Sequence, residues 1–525
     1  AIWRAPAPCN EASPRRTSRM EKDKTPLMPA GEPEKESSIM KDDSPLTSSN
    51  HPSPSPSVLV RSNSNLPPRP PLARTFSVLS VNTQVDPNSE QYREFVVLLL
   101  VKGLHEAGCS THRTETLGMV AGQALLSGST VSISAFPTKL IVSFGQPLDV
   151  EMADMGSRAS RAQTFHCTSI PSLNCNALQQ LDDLASEIGR KIVGAEQARE
   201  RLKAIKKQAP IFKLWMKLIA FSVASACCSV LFFSGGWIDF GVAGFIGCLT
   251  GLILQLGRIK KRFQRVTSFG AAVISGFVSY AISSQVQQFC PFATALSGVV
   301  WLLPGLSIST AVTELAAHSV IAGTGRFFGA IVNAMQLGFG LAVGSSLVAW
   351  GDGDVTELLN GCPRSVPMYL TPLWLLLITT SFNVLLNCPL SQFWSCTFCA
   401  IVGWCTFFGV SAQGLNLLNG EGSTAAAAFA IGVSGQILCR VTRHQALVTV
   451  LCGILVLVPG GMSVRGAASV FKATGVDAVN FGVAMTKTGF SITMGLIIAK
   501  AAIPSTPKRW RSKVTAVMDI VDDLM

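Results

Sequence analysis

Charge is scarce in this sequence. Only 14% of its 525 residues are Asp, Glu, Lys or Arg, against about 25% in ordinary soluble chains, and its mean hydropathy is +0.38. That excludes an ordinary soluble protein for most of the chain, and the apolar excess is concentrated after Phe212. The net charge of +12 would suit a nucleic-acid binder, but no RNA-recognition or zinc-finger spacing accompanies it, so nucleic acid is not an expected partner. The basic residues fall instead in the N-terminal tail, in short loops and at the edges of apolar runs, as the positive-inside rule requires of a membrane protein. A secretory apolar core is missing near the N-terminus, and Glu21, Asp23, Glu32, Glu34 and Glu36 argue against a transit peptide. Metal-ligand spacing is missing too. Most of the 15 cysteines, among them Cys227, Cys228, Cys248, Cys396, Cys399 and Cys405, lie in apolar runs where a thiol packs as a small apolar group. Cys396 and Cys399 lack partner ligands, so their spacing reads as helix packing; no metal and no cofactor is expected. Cys290 and Cys362 fall in predicted external loops and are candidates for a disulfide.

What the chain does contain is two long apolar runs, each broken in the same way. Pro291 to Val312 is interrupted at Pro304-Gly305, and His444 to Arg465 at Pro459-Gly460. In lipid every backbone amide and carbonyl must be satisfied, so such a break is tolerated only where the freed groups meet protein, water or a ligand. Ser268 and Ser423, Ser279 and Ser434, Gly298 and Gly453, and Pro304 and Pro459 all share one separation of 155 residues. Past the break it becomes 151, with Gln336 answering Lys487 and Gly344 answering Gly495. A constant offset on both sides of one short indel indicates duplication. Matching breaks in two halves point to a transport site.

Residues 1–91 are rich in Ser, Pro, Lys and Glu and have no apolar periodicity, which predicts a disordered tail. The first residue is not Met, so the chain is expected to begin inside a longer reading frame or before a true start at Met20. Residues 92–207 are globular in composition. Helical spacing covers Phe95 to Ala107 and Arg113 to Leu125, strands are predicted at Thr130 to Phe136, Lys139 to Phe144 and Ala162 to Ser169, and two helices follow at Asn176 to Val193 and Ala195 to Lys206. This is a small cytosolic α+β domain.

The stretch Leu104-His-Glu-Ala-Gly-Cys-Ser-Thr-His-Arg-Thr-Glu115, in which Gly108, Ser110, Thr111, Arg113 and Glu115 carry the pattern, resembles the signature of the threonine/serine exporter family. So do the strand pair from Phe136 to Phe144, the two Pro-Gly breaks and Glu314 ten residues past the first break, and the resemblance spans about residues 92 to 500. It implies a cytosolic domain followed by about ten membrane helices, exporting small hydroxy amino acids by exchange with protons. His105, His112, Arg113 and Glu115 also invite a hydrolytic reading, but no nucleophile with a base partner stands near them. Arg113 and Glu115 are therefore expected to hold the domain together or to dock it.

Ten apolar segments can be drawn, with membrane repeat 1 over 208–350, an external loop over 351–368, repeat 2 over 369–500 and a cytosolic tail over 501–525. The basic loop from Arg258 to Arg265 places the N-terminus inside; Arg440, Arg443, Lys508, Arg509 and Arg511 then also lie inside, and Asp352, Asp354 and Glu357 outside. Five helices per half give an inverted 5+5 repeat. At each break the restarting half-helix offers amides to a carboxylate, and the preceding carbonyls suit an ammonium. Pro304, Gly305, Ser307, Ser309, Thr310, Pro459, Gly460, Gly461 and Ser463 are the candidate substrate-binding residues, although Ser and Thr in apolar helices often bond their own backbone. Lys487 is expected to face the interior, against a substrate carboxylate or Asp239, with Gln336 completing the polar centre. Glu314 and Asp239 are the coupling candidates; Glu314 titrates if its helix re-enters and is merely solvated if it lies in a loop.

The expectation is thus an α-helical polytopic carrier, not an enzyme, with its termini cytosolic, in a plasma or internal membrane. Its partners are a small amino acid, the bilayer, protons and other copies of the chain. A membrane-anchored hydrolase and a channel are the alternatives.

Overall fold

The computed structural model describes residues 89–126, 130–145, 163–259, 263, 266–286, 289–348, 366–411, 418, 420–442, 446–457 and 475–503. The second Pro-Gly break, nearly all of the expected N-terminal tail and external loop, and most of the C-terminal tail lie outside them.

Strict alternation of apolar and polar residues sets the sheet. Strands β1 (Thr130–Ala135), β2 (Lys139–Gly145) and β3 (Gln163–Thr168) pair antiparallel in the order β1-β2-β3. Their register matches Val131 with Phe144, Ile133 with Val142 and Leu140 with Cys167, which puts all six side chains on one buried face. Helices α1 (Glu90–Glu106) and α2 (Thr111–Leu125) cover that face. On α2, Gly118 and Gly122 leave no room for a Cβ because Ile133 and Val131 of β1 occupy the space. Gly108, between the two helices, has φ +89 and its backbone lies against Leu173, a conformation that glycine adopts without strain. Helices α3 (Cys175–Gly189) and α4 (Ala195–Lys207) complete the unit. These elements fall within a few residues of the expected ones.

The apolar part follows as α5 (Leu214–Leu231), α6 (Trp237–Ile259), α7 (Thr267–Ser283), α8 (Pro291–Gly298), α9 (Gly305–Ala316) and α10 (Val320–Val348). Then come α11 (Thr371–Leu385), α12 (Phe393–Val410), α13 (Gly420–Thr442), α14 (Ala446–Ile454) and α15 (Gly475–Ala502). Among the described residues, five helices are long and apolar enough to cross a membrane, or six if the bent α8–α9 pair is one span; α7 and α11 are apolar but shorter. The protein is a helical membrane protein. Cys290, just before α8, is disulfide-bonded, and its partner lies outside the described residues.

Close helix approach is set by glycine. A Cβ at Gly344 of α10 would strike the Val273 carbonyl and Phe277 amide of α7; one at Gly495 of α15 would strike the Ala425 carbonyl and Phe429 amide of α13. Since the obstacles are backbone, neither pair can adjust by rotating a side chain. Gly344→Ala and Gly495→Ala are each expected to lower stability in detergent by about 1–3 kcal/mol. Gly329→Ala, with nothing within 4 Å of its Cβ position, is expected to leave it unchanged; thermal unfolding of the three variants checks this.

Candidate functional site

The first break follows from the chemistry of one residue. Pro304 disfavours helical backbone at the residue before it, and Leu303 is extended, with φ -61 and ψ 131. The chain passes from α8 through a short turn at Val300–Leu302 and restarts as α9, bent by 55°. Carbonyls released by the break are met by protein: Val300 O accepts from the Leu303 amide at 3.3 Å, and Leu302 O from Asn333 Nδ2 of α10 at 3.4 Å. The first intrahelical bond of α9 runs from the Ile308 amide to Pro304 O, at 3.0 Å. The amides of Gly305, Leu306 and Ser307 precede it and have no acceptor within their own helix.

Around this restart the expected residues divide. Gly305 and Ser309 are buried, Thr310 is half-buried and Ser307 is exposed. The Ser309 hydroxyl donates to Gly305 O at 3.3 Å and the Thr310 hydroxyl to Leu306 O at 2.8 Å, so both bond their own helix. Helix α15 of the second half lies alongside, with Gly489 against Val312 and Ile308 and Thr493 Oγ1 3.3 Å from Thr313 Oγ1. Gln336 on α10 is half-buried. Lys487 does not face the interior. It is exposed, and its ammonium lies 3.8 Å from Glu421 at the start of α13. Nor does Asp239 meet it: that carboxylate is buried and accepts from the Gly236 amide at 2.7 Å and the Cys290 amide at 2.9 Å, tying the start of α6 to the start of α8. Pro459, Gly460, Gly461 and Ser463 lie outside the described residues.

The signature stretch meets the apolar part at Glu314. This residue is neither in a loop nor solvated; it lies in the last turn of α9 with 1% of its side chain exposed. Its Oε1 accepts from the Thr111 amide at 3.0 Å and the Thr111 hydroxyl at 2.9 Å, and its Oε2 from Arg326 Nε at 3.0 Å. The first turn of α2, whose dipole favours an anion, is thereby aimed at a carboxylate of the apolar part. Ser110 is the residue preceding that turn. Arg113 instead grips Asp182 of α3 through Nε and Nη2, at 3.0 and 2.7 Å. Glu115 accepts from the Ala135 amide at the end of β1, at 2.6 Å. Two of the three polar residues therefore hold the domain together and Thr111 docks it. Arg326 went unnoticed in the sequence; a basic residue twelve positions after Glu314, at the start of an apolar helix, was the available signal.

His105 supports the same face. Its Nε2 lies 2.9 Å from the Phe136 carbonyl and must donate, so Nδ1, 2.8 Å from Ser169 Oγ, accepts the serine proton. Burial pushes its pKa below the ordinary 6.5, and the nearby Arg326 adds to this. A histidine held neutral by folding contributes stability that is fully present above 6.5 and is lost as pH falls below it toward the folded pKa. Wild-type protein is therefore expected to lose thermal stability between pH 6.5 and 5 more steeply than His105→Gln, measured as the unfolding midpoint across that range.

A second docking point lies on α11 and α14. The Cys175 and Asn176 amides, opening α3, donate to the Leu386 and Asn387 carbonyls at 3.0 and 3.1 Å, and Leu447 of α14 packs on the domain core.

A family model described as "Putative threonine/serine exporter" matches residues 96–348, and one described as "Threonine/Serine exporter, ThrE" matches residues 372–502. An uncharacterized protein of Schizosaccharomyces pombe is 27% identical over 451 residues, which cover 79% of this chain and 56% of that protein. Pheromone-regulated membrane protein 10 of Saccharomyces cerevisiae (strain YJM789) is 27% identical over 380 residues, 71% of this chain and 46% of the relative. The Yarrowia lipolytica protein of the same name is 26% identical over 386 residues, 71% and 30%. The chain thus spans about half the length of the first of these relatives. No solved structure matches it.

Proposed function

The chain belongs to the threonine/serine exporter family, and on that premise we propose that it is a secondary transporter moving threonine, serine or a similar small amino acid across the membrane. The observation that carries the proposal is the broken α8–α9 pair, whose restarting half-helix lies against α15 of the other half. The substrate carboxylate binds at the amides of Gly305, Leu306 and Ser307, with the positive end of the α9 dipole behind them.

Two features support an inverted repeat. Helix α5 begins beside the α+β domain, directly after α4, whereas α11, its counterpart, ends beside that domain at Leu386. The two therefore run in opposite senses through the same layer. The Gly344 crossing on α7 is also repeated by the Gly495 crossing on α13. With the domain side inward, alternating access arises as the two halves rock about the break. Proton exchange is the coupling the family resemblance implies, and Glu314 enters it through its contact with Thr111 and Arg326.

A channel is separated from a carrier by electrical recording. Proteoliposomes holding the protein and unlabelled threonine should take up labelled threonine transiently and show no unitary conductance. Single-channel currents without counterflow would refute the carrier reading.

A further inference from the structure

Four cysteines from four separate stretches of sequence converge where the α+β domain meets the second half. Cys388 follows α11, Cys396 lies in the first turn of α12 and Cys452 near the end of α14; their sulfurs all lie within 4.8 Å of one another, fully buried. Cys388 and Cys396 Sγ are 3.3 Å apart. Cys175, the first residue of α3, reaches in from the α+β domain, is also buried, and packs in the same cluster as these three. It is placed there by the two backbone bonds from the start of α3 to Leu386 and Asn387.

Simple packing of thiols explains Cys227 and Cys228, which sit among apolar side chains of α5 and its neighbours, and Cys399, whose sulfur faces Ser434 Oγ at 3.3 Å. It does not explain three sulfurs within 4.8 Å of one another with a fourth cysteine packed beside them. Nor is this a disulfide, since S–S bonding needs about 2.05 Å. Sulfurs bound tetrahedrally to one zinc ion at about 2.3 Å each lie about 3.8 Å apart, inside the range of the Cys388, Cys396 and Cys452 sulfurs. No carboxylate or imidazole belongs to the set, and an all-sulfur set selects soft ions. Leu386, Val448 and Leu455 wrap it and keep water away.

We propose that Cys388, Cys396 and Cys452, with Cys175 as fourth ligand, form a structural Zn2+ site that fastens the α+β domain to α11, α12 and α14. Each Zn–S bond forms as its thiol releases a proton to solvent, so no oxidant or reductant takes part. The site and the Glu314 contact then hold the domain to one half each.

The test uses the full chain, purified in detergent under reducing conditions without chelator, with zinc and copper measured per chain. Wild type is expected to hold close to one zinc. Cys388→Ser and Cys452→Ser should each lower zinc at least roughly tenfold, whereas Cys227→Ser and Cys399→Ser should not. Replacing zinc with Co2+ in the wild type, which needs no variant, should give thiolate-to-metal charge transfer and tetrahedral d–d bands. Wild type lacking both zinc and a cobalt spectrum, copper in place of zinc, a Cys388–Cys396 disulfide, or zinc unchanged in Cys388→Ser/Cys452→Ser would each overturn the assignment.

Discussion

Glu314→Ala is expected to loosen the α+β domain from α9 and α10, raising amide hydrogen exchange through the first turns of α2 at least about a hundredfold. The wild-type carboxylate, 1% exposed, is the common acceptor for the Thr111 amide, the Thr111 hydroxyl and Arg326. Alanine leaves a guanidinium that is only 18% exposed without its acid and strips Thr111 of its acceptor. Removing one partner of a buried ion pair costs about 3–5 kcal/mol, and each 1.4 kcal/mol is about tenfold in the opening equilibrium that exchange reports. Glu314→Gln, which keeps an acceptor for Thr111 and loses the charge, should fall between. Unchanged exchange at Thr111 and its neighbours would mean that the contact does not hold the domain.

Gly305→Leu is expected to reduce threonine exchange by up to about a hundredfold while the protein still inserts. Gly305 is buried at the start of α9, beside Pro304. A leucine there fills the space in front of the first-turn amides and overpacks the bend, an effect of about 1–3 kcal/mol, or up to roughly a hundredfold in affinity. Ser309→Ala and Thr310→Ala should change exchange far less, because those hydroxyls already donate to the carbonyls of Gly305 and Leu306.

These two sites were not equally legible in the sequence. Proline dictates backbone directly, so the break at Pro304 could be read from one residue and its neighbours. The strands were legible for a similar local reason: Val131, Ile133 and Ala135 alternate with polar residues, and the pleat converts that alternation into one buried face. The role of Glu314 depends on Thr111, 203 positions away, and no local pattern encodes such a contact. Lys487 was misplaced because sequence gives depth along a helix more readily than the face a residue occupies; α15 turns it outward, to Glu421. The cysteine cluster hid for the same reason as the Glu314 contact, since Cys388, Cys396 and Cys452 have no motif spacing and Cys175 comes beside them only through the docked domain.

The central claim is that the broken α8–α9 pair is the transport centre, and counterflow tests it most directly. Proteoliposomes loaded with unlabelled threonine and carrying matched amounts of inserted wild type or Gly305→Leu are given labelled threonine outside. The account predicts a transient overshoot of label with wild type and little or none with the variant. Equal overshoot in both would place the transport centre elsewhere and leave the break a structural bend.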